Sequence, residues 1–344
     1  MNILVTGGTG YIGSHTVVEL LGAGHVVVIV DNLSNSKEFV VDRIEEIAGV
    51  RPVFVKADLR DEVALRAAFS DHGKIDSVIH FAAFKAVGES VENPLLYYDN
   101  NISGMINLLK VMNDFGVGSM VYSSSCTVYG EAGKLPVDEQ SPIKRAESPY
   151  GYTKQVGERM LEDLAASRGF NSIILRYFNP TGAHDSALIG ELPLGVPNNL
   201  VPYITQTAIG EREILTINGN DYDTPDGTNI RDYIHVVDLA IAHLRALERL
   251  SDGKNAEKFE VFNLGTGRGN SVMEVIKTFE DVTGIRLNYR IGPRRAGDVV
   301  SIYSDTKKAN EKLGWKAERD LADMMLTSWN WQKAVSGSNE KTNG

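Results

Sequence analysis

Tyr150 and Lys154 stand four residues apart in the run Ser148-Pro149-Tyr150-Gly151-Tyr152-Thr153-Lys154. On a helix that spacing puts both side chains on one face. A tyrosine titrates near ~10, too high for a base at neutral pH. A neighbouring ammonium and a cationic ligand would both favour the phenolate. Lowering the value by ~3 units takes about 4 kcal/mol of differential stabilisation, which two close cations in a partly dry site can supply. The pair is therefore a candidate acid–base group, although the same spacing also occurs in ordinary surface pairs. Ser148 can cap the helix and Pro149 suits its first position. A second candidate is the hydroxyl run Ser123-Ser124-Ser125-Cys126-Thr127-Val128-Tyr129-Gly130. At the end of a strand such hydroxyls can hold a substrate oxygen, or they can simply stabilise a turn. Cys126 is the single cysteine, has no histidine beside it and reads as a small buried filler. His80, His184, His235 and His243 lack metal-ligand spacing, so no metal is expected. The chain has neither a Gly-x-Ser-x-Gly elbow nor a phosphate loop ending in Gly-Lys-Ser/Thr.

A third constellation is Gly7-Gly8-Thr9-Gly10-Tyr11-Ile12-Gly13, which follows an apolar run and opens an amphipathic one. Glycines there let the backbone turn tightly against a pyrophosphate, and the helix behind them offers free N–H groups. Asp31 closes the next apolar run, at about the spacing of the carboxylate that binds an adenosine ribose diol and repels a 2′-phosphate. NAD rather than NADP is the expected cofactor. Asp58 is placed to reach the adenine edge, or else to cap the helix beginning near Asp61-Glu62. Phe81-Ala82-Ala83 offers small residues against which a cofactor can lie, or close helix–sheet packing.

The elements that must position these groups alternate. Ile3–Val5, Val26–Val30, Pro52–Val55, Ser77–Phe81, Ser119–Ser123 and Ser172–Arg176 read as strands, apolar almost throughout. Between them Gly13–Leu21, Glu62–Phe69, Asn101–Phe115 and Tyr150–Ser167 are amphipathic. The pattern predicts an α/β fold, a Rossmann-type doubly wound parallel sheet with ligands along one edge, joined to a smaller α/β substrate-binding domain. Residues 1–178 are assigned to the cofactor domain, rejoined by part of 234–264, and 179–335 to the substrate domain. Glu260–Leu264 reads as a buried strand returning to the first sheet, and 336–344 as a flexible polar tail.

Across 344 residues, 35 Lys and Arg stand against 45 Asp and Glu, a net charge of −10. That balance disfavours a nucleic-acid binder, which needs a basic face. It also requires that any anionic ligand meet cations concentrated locally. One cysteine allows no internal disulfide and fits a reducing compartment. The N-terminus reads as a strand entering a glycine turn rather than a signal peptide, and no apolar stretch near it approaches a membrane span. A soluble cytoplasmic protein with no membrane partner is the expectation.

Together these features resemble the extended short-chain dehydrogenase/reductase family, and within it the enzymes that epimerise UDP-hexoses at C4. The resemblance runs from Met1 to about Gln332. Beyond the glycine turn it rests on Phe81-Ala82-Ala83-Phe84-Lys85-Ala86-Val87-Gly88-Glu89-Ser90, Leu175-Arg176-Tyr177-Phe178-Asn179-Pro180, Pro197-Asn198-Asn199-Leu200 and Arg231-Asp232-Tyr233-Ile234-His235-Val236. It implies an NAD-dependent isomerase, a homodimer joined through two helices of each protomer, that interconverts UDP-glucose and UDP-galactose. Tyr150 would take the proton of the sugar 4-hydroxyl, the hydride would pass to NAD⁺, and the 4-keto sugar would turn over and be reduced on its other face. Ser125, with Thr127 nearby, would orient the 4-oxygen, and Lys154 would hold the nicotinamide ribose. The resemblance extends the cofactor contacts to Tyr11, Ile12, Asn32, Asn35, Ser36, Leu59, Lys85, Asn100 and Phe178. It gives Arg231 and Arg295 to the diphosphate, Asp298 to the uridine ribose, and Thr216, Ile217 and Asn218 to the uracil. Asn179, Asn199 and Leu200 would contact sugar or phosphate. Arg294 and Arg295 read from the residues alone as solvated loop charges equally well.

Two positions depart from the family pattern. Ala296 stands where an acidic residue is common, and Ile302 stands where a bulky tyrosine restricts the sugar pocket. Ile302 therefore implies some activity on UDP-GlcNAc and UDP-GalNAc. A 4,6-dehydratase would need a carboxylic acid pair after Thr127, where Val128 and Tyr129 stand. A UDP-glucuronate decarboxylase or epimerase remains open, as does a non-catalytic NAD-binding protein, which the set Ser125, Tyr150 and Lys154 argues against.

Overall fold

The computed structural model describes the backbone of residues 1–295 and 298–342, and their side chains as far as Gly337. Six strands of the first half, β1 (Asn2–Thr6), β2 (Val26–Asp31), β3 (Val53–Lys56), β4 (Ser77–His80), β5 (Ser119–Ser125) and β6 (Asn171–Tyr177), lie in one parallel sheet. The strand Phe259–Leu264 completes it beside β6, giving seven strands in the order Phe259–Leu264, β6, β5, β4, β1, β2, β3. The order reverses between β1 and β4, and a ligand crevice opens at such a point. The apolar runs follow from two covered faces. Ile3 and Val5 point into a core shared with helix α1 (Tyr11–Gly22) and helix Val236–Ser251, while Leu4 between them points into the opposite core with Leu65, Met105 and Leu161.

A separate core is built from residues beyond the first sheet's main run. Helices Leu200–Ala208, Val272–Thr283 and Leu321–Thr342 pack around the paired strands Leu215–Asn218 and Tyr289–Gly292. A three-strand sheet of two-residue strands joins Asn270–Ser271, Ile230–Arg231 and Ser301–Ile302. The polar run from 336 on is not a separate tail as far as it is described: the last helix continues to Thr342, and 343–344 lie outside the described residues.

Candidate active site

The glycine turn is shaped by space. Gly7 has φ +71°, and a Cβ there would sit 2.8 Å from the Ala82 amide nitrogen. A Cβ on Gly13 would run into the Gly7 carbonyl oxygen and lie 2.9 Å from Gly8 Cα. Gly10 precedes α1 without a side-chain cap, so the first amides of the helix face the crevice. Asp31, at the end of β2, accepts from the amides of Thr9 (3.2 Å) and Leu33 (2.9 Å) and from the Ser36 hydroxyl (3.3 Å). The carboxylate is thus aimed beside the turn before any ligand arrives. Tyr11 donates its phenol to the Gly182 carbonyl at 2.6 Å, which ties the turn to the second half of the chain.

Asp58 is not the helix cap. Asp61 does that work, accepting from the Ala64 amide. Asp58 instead takes a two-nitrogen fork from Arg60 and the amide of Asn32 at 2.8 Å. The Arg60 hydrogen bond holds its carboxyl well below the usual carboxylate range. Its oxygens are therefore already engaged at the adenine end of the crevice.

One continuous cleft takes in Gly7, Gly10, Tyr11, Ile12, Gly13, Asp31, Asn32, Asn35, Ser36, Asp58, Leu59, Phe81, Ala82, Ala83, Lys85, Asn100, Tyr150 and Lys154. Two residues assigned to the cofactor lie off its wall. Phe178 turns into a small apolar cluster with Val128, Tyr129, Val137 and Ile302, and its neighbour Tyr177 faces the cleft instead. Ser125 lies just outside, and Ser123 lines the wall. Phe178 is the first residue beyond β6 and turns to the opposite side from Tyr177, while Ser125, the last residue of β5, turns toward the short turn that it caps. The cleft also includes Glu191 and Trp331, which the sequence did not single out. Glu191 accepts from Lys85 (3.3 Å) and Asn199 (2.6 Å), and its carbonyl accepts from the Trp331 indole (2.9 Å). Glu191 belongs to none of the motifs that the sequence displays, so no local signal marked it. Asn101 was also missed: it bonds both backbone groups of Phe84 and the Thr153 hydroxyl, pinning the wall to the catalytic helix from inside a π-helical turn.

Helix Pro149–Arg168 carries Tyr150 and Lys154. Ser148 caps it by accepting from the Gly151 amide at 3.1 Å, and Pro149 sits at its first position. Ser148→Ala is expected to cost about 1 kcal/mol of stability, read as a lower urea midpoint at unchanged slope. Lys154 is buried and donates to the Ser123 carbonyl at 2.7 Å. Burial pulls its ammonium down to about 8, and the nearby Glu158 opposes that. The Tyr150 phenol is pushed up to about 12 by burial, with a hydrogen bond from Ser125 working the other way. The lowering expected from Lys154 is thus not made by the chain's own groups, because the ammonium is turned to Ser123 and burial dominates. Ser125 caps the short turn Cys126–Tyr129 by accepting from the Thr127 amide, and the Thr127 hydroxyl is buried without a protein partner. Burial pushes the Cys126 thiol up to about 12, so it is no nucleophile at neutral pH.

The assigned substrate residues fall in three groups. Asp298 gathers Arg231 (3.4 Å) and Arg295 (2.7 Å) on one carboxylate oxygen. Ile302 pairs with Arg231 across adjacent strands, and Asn179 bonds through its amide to the Asp232 carbonyl. The buried Asp232 carboxylate accepts from Thr266, Gly267 and Ser304, which locks Arg231 between the end of the first sheet and the strand bearing Ile302. Thr216, Ile217 and Asn218 lie on strand Leu215–Asn218, with the Ile217 side chain committed to the core. Asn199 lines the cleft, and Leu200 begins the helix that follows it. Arg294 is held by Asp221 and stacks on Tyr222 at 4.1 Å rather than standing free. Ala296 lies outside the described residues. No cluster of metal ligands occurs among the described residues.

Comparison with known proteins gives this geometry its context. Residues 3–265 match the model of the NAD dependent epimerase/dehydratase family. The chain is 51% identical over 331 residues to a UDP-glucose 4-epimerase of Neisseria meningitidis, covering 96% of each. It superposes on the crystal structure of UDP-glucose-4-epimerase from Stenotrophomonas maltophila with bound NAD and formylated UDP-arabinopyranose, with a TM-score of 0.95, 53% identity and coverage of 98% of this chain and 99% of that one. The enzyme from Bifidobacterium longum in complex with NAD⁺ and UDP gives a TM-score of 0.93 and 46% identity, over 98% and 99% of the two chains. A glycine turn, a carboxylate at the end of β2 and a Tyr–Lys helix in one cleft, with a family match across most of the chain, lead to one conclusion: this chain belongs to the NAD dependent epimerase/dehydratase family.

Proposed function

We propose that the protein interconverts UDP-glucose and UDP-galactose by oxidation at C4, rotation of the 4-keto sugar and reduction on its other face, with NAD as retained cofactor. The observation that carries this reading is that Tyr150 and Lys154, with the Ser125–Thr127 turn beside them, share one cleft with the glycine turn. The residues fit a dinucleotide: Gly7 and Gly13 have no room for a side chain, the amides of α1 face the crevice, and Asp31 stands where a ribose diol would lie. When bound, NAD⁺ supplies the acceptor for the C4 hydride and a positive ring beside Tyr150. Tyr150 takes the 4-hydroxyl proton and later returns one to the 4-oxygen. Ser125 and the unpartnered Thr127 hydroxyl hold that oxygen in either configuration. Arg231 and Arg295, oriented by Asp298, grip the diphosphate, so the sugar can turn while its anchor stays fixed.

Domain limits at 1–178, with the return segment, and 179–335 accompany this reading. So does a homodimer: the helices Pro94–Tyr98, Gly104–Asp114 and Pro149–Arg168 leave Leu95, Ile106 and Tyr152 exposed, apolar surface of the kind that a helical interface covers. No helix among the described residues is long and apolar enough to cross a membrane, and the single free cysteine suits a reducing cytoplasm. Ile302 packs with Val128 and Phe178 and is less bulky than the tyrosine of the family pattern, which supports action on UDP-GlcNAc.

The test is a product assay on UDP-galactose with no added NAD⁺. Formation of UDP-glucose by protein as purified is the expected result. Parallel incubations with UDP-GalNAc and UDP-galacturonate decide substrate range. No conversion of UDP-galactose, with or without NAD⁺, rejects the reading, and no turnover of UDP-GalNAc rejects the wider range alone.

A further inference from the structure

Three consecutive serines at the end of β5 each meet one residue of a single helix face. Ser125 meets Tyr150, the Ser123 carbonyl holds Lys154, and the Ser124 hydroxyl donates to Glu158 at 2.5 Å. Positions 150, 154 and 158 are successive turns of that face. Glu158 is only 3% exposed and takes a two-nitrogen fork from Arg176 of β6, itself 3% exposed, at 2.9 and 2.5 Å. Arg176 continues to the Tyr129 hydroxyl at 3.0 Å, at the end of the Ser125–Thr127 turn, and Tyr129 donates to Asn263 at 2.7 Å. The pair therefore joins the catalytic helix, the serine strand, the substrate turn and the returning strand Phe259–Leu264.

We propose that Glu158 and Arg176 are positioning residues for the epimerisation: a buried, charge-balanced couple that fixes Lys154 against the serine strand and sets the charge that Lys154 experiences. It rests on the reading of Lys154 given above. A buried ion pair is weak evidence for stability, since desolvation offsets most of its attraction. Its placement is the stronger argument. The titratable groups around Lys154 are Tyr150 and Glu158 on its own helix, Tyr122 on β5 and His80 on β4, with Tyr177 of β6 on the same cleft wall and Arg176 of β6 joined through Glu158. Burial raises the three tyrosines and lowers His80 to about 3, so these four are neutral at pH 7. Among these neighbours Glu158 and Arg176 alone are charged. Removing one leaves the other buried without its counter-charge, Glu158 one helical turn from Lys154 or Arg176 on β6 behind it, whereas removing both leaves none.

The experiment measures kcat against pH for the full-length enzyme and three variants, with NAD content and melting temperature recorded for each. Lys154 must be protonated, so activity falls as pH rises through its pKa. Glu158→Gln leaves Arg176 unpaired, disfavours the ammonium and moves that alkaline limb to lower pH by about one unit. Arg176→Met leaves Glu158 unpaired and moves the limb to higher pH by about as much. The double variant Glu158→Gln with Arg176→Met buries no charge, is expected to fold, and returns the limb to its original position. A role confined to holding the fold would lower kcat in both single variants without moving their limbs in opposite directions. Each single variant decides by the sign of its shift, so loss of one to misfolding leaves the other decisive. Limbs that coincide in all four proteins, single variants that shift the same way, or a double variant that fails to fold or shifts as Glu158→Gln does would overturn the proposal. An unmodified enzyme without epimerase activity would instead remove the functional reading beneath it.

Discussion

Replacing Tyr150 with phenylalanine is expected to lower kcat by about 10³-fold or more, equivalent to roughly 4 kcal/mol in the barrier. The change removes one oxygen from a half-buried ring whose polar contact is with Ser125. Neither the cap at Ser148 nor the glycine turn depends on it. Bound NAD should therefore stay at the level of the unmodified protein, and the melting temperature should move by no more than a few degrees. The decisive comparison is UDP-galactose turnover against NAD released on heat denaturation. A variant that keeps NAD and still turns over within tenfold of the unmodified enzyme would remove Tyr150 from the proton transfer. A variant that loses both would show that the phenol matters to the cleft rather than to the chemistry.

Gly13→Ala is expected to act at the glycine turn of the same cleft. The new methyl group would overlap the Gly7 carbonyl oxygen and lie 2.9 Å from Gly8 Cα. Neither neighbour is a flexible side chain, so α1 must slide away from the turn or the turn must open. Either movement misaligns the amides at the start of α1 with the pyrophosphate. The protein should be purified largely without NAD, with an affinity for added NAD⁺ lowered by two orders of magnitude or more, and with a stability loss of about 2 kcal/mol from overpacking. NAD content and calorimetric titration measure the first two effects and urea unfolding the third. Full NAD content in this variant would contradict the close approach of backbone to cofactor.

The first sheet was legible because its strands are covered on both faces and are written as unbroken apolar runs, as in Val26–Asp31. The helix Phe39–Ala48 was missed, since it follows a polar loop and exposes most of one face. The strands Ile230–Arg231 and Ser301–Ile302 are too short to show any period, and only their long-range pairing defines them. The site divides in the same way. The glycine turn, Asp31, Tyr150 and Lys154 sit in local motifs and could be read directly. Phe178 illustrates the limit: neighbours at a strand end can turn to opposite sides, and Tyr177 rather than Phe178 lines the cleft. Glu191 and Trp331 meet only through the folded chain, 140 residues apart, so no local pattern announces them.

Trp331 stands in the same cleft as Gly7, which has a bearing on how the protein is made. Ribosomes deliver the chain from its N-terminus, and early segments begin to fold before late ones exist. The first six strands of the sheet can gather well before the strand Phe259–Leu264 and the final helix emerge. The wall at Glu191, however, rests on an indole 140 residues further along the chain. A nascent chain that has not yet released the segment carrying Trp331 is therefore expected to present a glycine turn whose receptacle still lacks one wall.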